Sequence, residues 1–180
     1  MWFRQALYDA LYHQNTDRLV ALLTSAEAQV DPTSVGEALR IAVARGYDHI
    51  ARAFLEAGIH PDTRNGEGQT LLMWAAARGD ICLVQEALRL GATIDARDRD
   101  GWTALFHAAH AQRVAVVEAL LQSGADAHIK DAYGNSAAGV ARLRRVNIKL
   151  PLLGTTASVQ YRTLRDTPTR ALLRRHGSSG

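Results

Sequence analysis

A repeat of 33 residues limits how this chain can fold more than any other feature of its sequence. Two sets of glycines keep that step: Gly58, Gly91 and Gly124, and Gly68, Gly101 and Gly134. A third marker is the segment RGYDHIARAFL from Arg45, which returns in similar form as RGDICLVQEAL from Arg78. A period of this length predicts an array of stacked units, each too small to bury its apolar face alone.

Each unit is predicted to contain two helices joined by a turn and followed by an extended, polar finger. In the unit that begins at Asp100, Thr103 is expected to cap the first helix, with its hydroxyl accepting a backbone N–H. The second helix is expected over roughly residues 114–122, where apolar residues recur on one helical face. Gly91 and Gly124 follow the second helices of their units, so we expect both in a left-handed conformation.

These motifs resemble the ankyrin repeat family, whose pattern is roughly G-x-T-P-L-H-x-A-A, then a helix rich in valine and leucine, then G-A-D. The best matches are GWTALFHAA with VVEALLQSGAD, and GQTLLMWAA with LVQEALRLGAT. The resemblance covers roughly residues 3–145. It implies an all-α solenoid of about five helix-pair units with an irregular C-terminal cap, and a non-catalytic protein that binds a partner through its concave face.

The chain departs from the family pattern at two slots of each unit. Leu71, Ala104 and Ala137 stand where the family has proline, and Met73, Phe106 and Gly139 stand where it has histidine. The hydrogen bonds of that histidine are therefore not expected here, and the units should be less stable than idealised ones. Gly139 inside a helix costs about 1 kcal/mol relative to alanine.

The unit boundaries follow from the period. We expect an N-terminal cap at 1–33, units at 34–66, 67–99 and 100–132, the start of a last unit at 133–145, and a basic capping extension at 146–180. Pro151 interrupts the expected second helix of the last unit. The segment GTTASVQY is predicted to be an insertion, and Pro168 is predicted to begin one last short helix.

The resemblance also implies a partner-binding surface made by the fingers and the starts of the first helices. Carried over slot by slot, it comprises Arg64, Glu67, Gln69, Arg97, Arg99, Asp100, Trp102, His110, Lys130, Tyr133 and Asn135. Trp102 and Tyr133 hold slots that do not need an aromatic residue for the fold, and aromatics beside arginines are typical of binding hot spots. The alternative is that Trp102 folds back onto a neighbouring finger.

Other chemistry finds little support in the sequence. His107 and His110 share one side of a helix, a spacing that can bind metal, but no third ligand stands at a suggestive distance. Cys82 lacks a recognisable setting that would lower its thiol pKa. We therefore expect no metal, no cofactor and no catalytic residue.

The charge is unevenly distributed along the chain. Residues 1–141 contain 12 basic and 17 acidic residues, a net charge of −5, whereas residues 142–180 contain 9 basic residues and one acid, a net charge of +8. The basic end has three interpretations: it docks on an acidic partner, it binds nucleic acid or an anionic lipid surface, or it is a solvated cap that balances the acidic body. The scarcity of aromatics among its arginines favours the first and third.

The expected location is the cytoplasm. The first 20 residues carry Arg4, Asp9, Asp17 and Arg18, which disfavours a signal peptide, and no apolar run is long enough for a membrane span. The single cysteine fits a reducing compartment. Because the repeats occupy nearly the whole chain, we expect it to act by covering its partner's surface, as an inhibitor, an immunity-type protein or a small adaptor. Nucleic-acid or anionic-surface binding through the basic end is the alternative function.

Overall fold

The computed structural model describes residues 2–24, 31–141, 143–145, 161–163 and 168–177. These residues form ten helices and two short strands. The helices are α1 (Trp2–Tyr12), α2 (Thr16–Thr24), α3 (Pro32–Arg45), α4 (Asp48–Glu56), α5 (Leu71–Arg78), α6 (Ile81–Arg89), α7 (Ala104–His110), α8 (Val114–Gln122), α9 (Ala137–Val140) and α10 (Pro168–Gly177). The strands are β1 (Leu143–Arg145) and β2 (Tyr161–Thr163).

The helices stack in two rows. The odd-numbered helices α1, α3, α5, α7 and α9 pack on one another in chain order, and each also packs on the even-numbered helix that follows it. In the second row, α2 packs on α4, α6 on α8, and α8 on α10. An ion pair between Arg52 and Glu86 (3.4 Å) joins α4 to α6. The all-α solenoid of helix pairs expected from the period is therefore confirmed.

Small side chains let the central helices approach closely. Ala75 and Ala76 of α5, and Ala108 and Ala109 of α7, are completely buried in the interface of the inner row. Phe106 supplies bulk beside them and is among the largest fully buried side chains. Burying one such side chain contributes roughly 1.5–3 kcal/mol, so the array is held mainly by apolar contacts between adjacent units.

The helix starts differ from expectation in one respect. Thr103 occupies the N-cap position of α7, but its buried hydroxyl has no hydrogen-bond partner within the part of the chain that the structure describes. The hydroxyl of Thr70, at the start of α5, likewise has no partner among the described residues. The backbone N–H of Thr70 donates to the sulfur of Met73 (3.5 Å). The expected cap hydrogen bond of Thr103 is wrong because its side chain is fully buried and β-branched, so packing decides its rotamer.

The helix ends agree with the sequence. The bounds of α8 match the predicted second helix, and Gly91 and Gly124 have φ angles of 88° and 92°, which confirms their left-handed conformation. Gln112 takes the left-handed position between α7 and α8 with a φ of 58°. Its side-chain Nε2 donates to the carbonyls of Ala109 (3.0 Å) and Ala141 (2.8 Å), which offsets part of the strain and links two units.

The last helix pair is interrupted in sequence but packed in space. β1 and β2 pair antiparallel, with Leu143 opposite Thr163. α10 begins at Pro168, as predicted, and packs on α8 and α9, with Leu173 2% exposed. The predicted insertion at 154–161 lies outside the described residues apart from Tyr161. None of the helices described here is long and apolar enough to cross a membrane.

Candidate protein-binding surface

We call residues 58–69, 91–102 and 124–135 the first, second and third fingers. Each finger closes its tip with the same turn, organised by Asn65, Asp98 or Asp131. In the second finger, Asp98 Oδ1 accepts the backbone N–H of Asp100 (3.1 Å) and of Trp102 (2.8 Å). Asp and Asn side chains favour such turns because they bond to the backbone a few residues ahead. The sequence analysis missed these three residues, although each stands three positions before a repeated glycine.

The predicted surface residues fall into columns along the array. Arg64, Arg97 and Lys130 form one column, Glu67, Asp100 and Tyr133 a second, and Gln69, Trp102 and Asn135 a third. Backbone hydrogen bonds hold the tips together: the Arg99 N–H donates to the Glu67 carbonyl (3.2 Å), and the Ala132 N–H donates to the Asp100 carbonyl (2.9 Å). The fingers therefore bring together side chains that are 33 residues apart in sequence.

Two arginines of the set bind backbone within the protein. Arg64 Nη1 donates to the carbonyl of Gly68 (2.8 Å) and to that of Arg97 on the second finger (2.7 Å). Arg97 repeats the arrangement, donating to the carbonyls of Gly101 (3.3 Å) and of Lys130 on the third finger. Both guanidinium groups thus satisfy carbonyls at the finger tips and join neighbouring fingers.

Trp102 is half-buried rather than projecting. Its indole N–H donates to Asp131 Oδ2 on the third finger (3.3 Å), and its ring centroid lies 6.0 Å from Phe106 and 5.3 Å from both His107 and His110. The structure thus contradicts the expectation that the fold gains little from this side chain. The indole N–H and part of the ring make contacts within the array, as expected if Trp102 folds back onto a neighbouring finger.

His107 is engaged by the second finger. Its Nε2 lies 2.9 Å from Oδ2 of Asp98, whose side chain is only 5% exposed. Burial raises the pKa of Asp98, but the hydrogen bonds from His107 and from the backbone of Trp102 outweigh it and hold that pKa below its ordinary value. Within the described ranges, no three histidine, cysteine, aspartate or glutamate side chains are grouped so that they could hold a metal ion.

Gln69 and Asn135 also make bonds inside the array. Gln69 Oε1 accepts from Asn65 Nδ2 (3.2 Å) and from the indole N–H of Trp74 (3.1 Å). Asn135 Nδ2 donates to Asp131 Oδ2 (3.1 Å). Both side chains support their own finger turns.

Five of the predicted side chains are exposed and make no hydrogen bond or ion pair with any residue that the structure describes. These residues, which we call the finger surface, are Glu67, Arg99, Asp100, Lys130 and Tyr133. Among the residues that the structure describes, Tyr133 is the most exposed large hydrophobic side chain, at 76%. His110 is also exposed, at the end of α7, and has a contact within the chain besides its ring contact with Trp102.

The other flank of the fingers is cross-linked as well. Asp62 Oδ1 accepts the backbone N–H of Thr93 (3.0 Å), and one unit later Asp95 Oδ1 accepts that of Asp126 (3.2 Å). Hydrogen bonds therefore join neighbouring fingers on both flanks.

The model for ankyrin repeats matches residues 39–131 in three copies, a stretch that contains the turn residues Asn65, Asp98 and Asp131. No curated protein matches the chain.

Proposed function

Because the chain belongs to the ankyrin repeat family, we propose that it binds another protein through the finger surface on its concave side. Ankyrin repeats are generally protein–protein interaction modules and are typically not catalytic. The observation that carries the proposal is Tyr133, which is 76% exposed and has charged, unpaired neighbours along the fingers. Tyrosine surrounded by polar groups is a common anchor of protein interfaces.

The charges around Tyr133 suggest the character of the partner. Arg99 and Lys130 carry positive charge, whereas Glu67 and Asp100 carry negative charge, and all four are exposed. A partner surface with charges of both signs around an apolar pocket complements this pattern. Such complementarity favours specificity and the association rate more than affinity itself.

Rigidity of the fingers supports the same proposal. Binding costs free energy when loops and side chains must be ordered at an interface. The fingers are already tied to one another by Arg64 and Arg97 on one flank and by Asp62 and Asp95 on the other. We therefore assign Arg64, Gln69, Arg97 and Asn135 to support of the surface, and the finger surface, Trp102 and His110 to direct contact.

We further propose that the protein acts by covering its partner's surface, as an inhibitor or immunity-type protein does. The support is the row of three finger tips, which backbone hydrogen bonds join to one another. If so, addition of the protein should reduce an activity of the partner in proportion to the fraction bound.

The test begins with capture of the partner from a native lysate by the wild-type chain, followed by mass spectrometry. Calorimetric titration should then show that Tyr133→Ala weakens binding by about 2 kcal/mol, as truncation of a hot spot does, while the melting temperature stays unchanged. Tyr12→Ala is the matched control, because Tyr12 is 69% exposed on α1 at the far end of the array. Equal affinities of wild type and Tyr133→Ala would contradict the proposal.

Nucleic-acid or anionic-surface binding by the basic end stays the alternative prediction. Ionic strength separates the two functions, because binding to phosphates falls steeply with salt whereas a tyrosine-anchored interface is less sensitive. Recovery of nucleic acid alone from the lysate would favour the alternative.

A further inference from the structure

A groove separates the third finger from α10, and it takes no part in the finger surface apart from Lys130. Its volume is about 680 Å³. The groove is lined by His128 and Lys130 of the third finger, by Arg174 and Arg175 of α10, and by Ser136 and Ala138 of the last unit. We call this the C-terminal groove.

The lining combines positive charge with a small-residue floor. The three cationic side chains, Lys130, Arg174 and Arg175, are exposed, as is His128, and none of the residues that line the groove in the described part of the chain is acidic. Alanines at 127, 138 and 171 and the buried Leu173 complete the lining. A groove lined by charges of one sign concentrates the electrostatic potential and attracts a ligand of the opposite charge.

We propose that the C-terminal groove binds an acidic peptide segment of a protein partner. The proposal rests on the proposed function only in taking a protein as the partner. α10 has ten residues and is therefore about 15 Å long. An extended peptide of four or five residues covers that length, at about 3.3 Å per residue.

An extended acidic peptide suits two facing walls. Successive side chains of an extended chain point to opposite sides, so alternate carboxylates meet Lys130 on one wall and Arg174 or Arg175 on the other. Arg174 and Arg175 also have contacts within the chain. A guanidinium group has five N–H donors and can bind a carboxylate in addition to such a contact.

The lining favours a peptide over single-stranded nucleic acid. Proteins that bind single strands stack the bases on aromatic side chains. The residues that line the C-terminal groove within the described ranges include His128 but no tyrosine, tryptophan or phenylalanine. The carboxylates of a peptide can bind without aromatic side chains, through the cationic side chains and the hydroxyl of Ser136 that line the groove.

The test measures fluorescence anisotropy of a labelled oligoglutamate peptide, about ten residues long, which presents carboxylates to both walls, titrated with the full chain. A peptide with glutamine in place of glutamate is the matched control probe. Reversing charge on one wall, in Arg174→Glu with Arg175→Glu, should weaken binding at least about tenfold. Lys130→Glu on the opposite wall should weaken it by a comparable factor. Arg89→Glu, an exposed arginine on α6, should leave it within about twofold of wild type.

Each other outcome overturns the proposal. Absence of binding to the glutamate peptide, or equal binding of the glutamine peptide, contradicts an acidic ligand. If Arg174→Glu with Arg175→Glu loses binding but Lys130→Glu does not, the groove does not bind the peptide with two walls. If the double variant fails to fold, Lys130→Glu alone tests the proposal, once circular dichroism shows that it is folded. Tighter binding of a deoxythymidine decamer, with the same dependence on the variants, makes nucleic acid the ligand. Tyr133→Ala should bind the peptide as tightly as wild type, because Tyr133 does not line the groove. If the peptide does not bind to the wild-type chain, the proposed function of the finger surface is therefore unaffected.

Discussion

The first finger closes its turn with the neutral amide of Asn65, whereas the second closes the same turn with the carboxylate of Asp98. In the first, the amide of Asn65 bonds to Gln69, which also accepts from Trp74. In the second, the carboxylate of Asp98 bonds to His107, which occupies the slot of Trp74 one unit later. The backbone hydrogen bonds of the two turns are the same, because each Oδ1 accepts the N–H groups two and four residues ahead.

This difference shows that the turn requires an acceptor at one position but not a charge. Once that acceptor is present, the rest of the network varies, provided that every buried donor keeps a partner. Gln69 supplies the acceptor for the indole of Trp74, and Asp98 supplies it for the imidazole of His107. The two fingers should therefore have similar geometry at neutral pH but respond differently to mutation and to acid.

The fingers also differ in what lies beneath them. A Cβ atom added to Gly36 of α3 would stand 2.3 Å from the carbonyl oxygen of Arg64 on the first finger. In the next two units the same slot holds Gln69 and Trp102. The backbone of the first finger thus lies directly on a glycine, whereas Trp102 bonds to Asp131 of the third finger through its side chain.

The largest effect should follow Gly36→Ala. The new methyl group must displace the backbone of the first finger, so we expect a loss of about 3 kcal/mol or more, at the upper end for overpacking. Urea unfolding followed by circular dichroism measures it. Gly139→Ala is the control, because its Cβ would meet nothing closer than 3.7 Å and should raise stability slightly through helix propensity. Equal stability of the two variants would refute the close contact.

A smaller effect should separate the two turn residues. Asp98→Ala leaves two backbone N–H groups and His107 without their acceptor, and we expect a loss of about 2 kcal/mol. Asn65→Ala orphans two backbone N–H groups but no second side chain in need of an acceptor, so the loss should be about 1 kcal/mol. Denaturant midpoints of the two variants, measured at neutral pH, give the comparison. A larger loss in Asn65→Ala would mean that the pair of Asp98 and His107 adds nothing to the second finger.

The smallest effect should appear on acidification. The folded-state pKa of Asp98 lies below its ordinary value, so its contribution to stability is present above about pH 4 and is lost as the pH falls through the folded pKa. Asp98→Asn keeps an Oδ1 acceptor and should cost about 1 kcal/mol at neutral pH. That difference from wild type should shrink as the solution becomes more acidic, as shown by urea midpoints at several pH values. A difference that is constant with pH would exclude the carboxylate as its cause.

How much the sequence predicted depends on the range of each interaction. Helices such as α8 and the left-handed Gly124 follow from local patterns, and both were predicted correctly. The bond of Arg97 to the Lys130 carbonyl was not foreseen, because it requires the position of the next unit's backbone. The pair of Asp98 and His107 likewise joins a finger tip to the middle of a helix.

The remaining differences concern side-chain conformation and interrupted sequence. The residue type at Thr103 is right for a cap, but its rotamer depends on tertiary packing that no local pattern encodes. The packing of α10 against α8 could not follow from the period, because the residues between α9 and α10 break the 33-residue spacing. Of the predicted surface, the column of Glu67, Asp100 and Tyr133 came from the resemblance to ankyrin repeats, carried over slot by slot. The supporting roles of Arg64 and Gln69 depend on contacts that only the three-dimensional structure shows.

The guanidinium links between fingers have a consequence for how the array comes apart. In a linear array, cooperativity depends on the coupling between neighbours relative to the stability of each unit. Arg64 and Arg97 each add such a coupling through a bond to the next finger, whereas Lys130, the next residue in the column, makes no equivalent bond to the part of the chain described here. The three fingers should therefore exchange their amide hydrogens as one cooperative block. The helices after the third finger, α9 and α10, should open first and at a lower free energy.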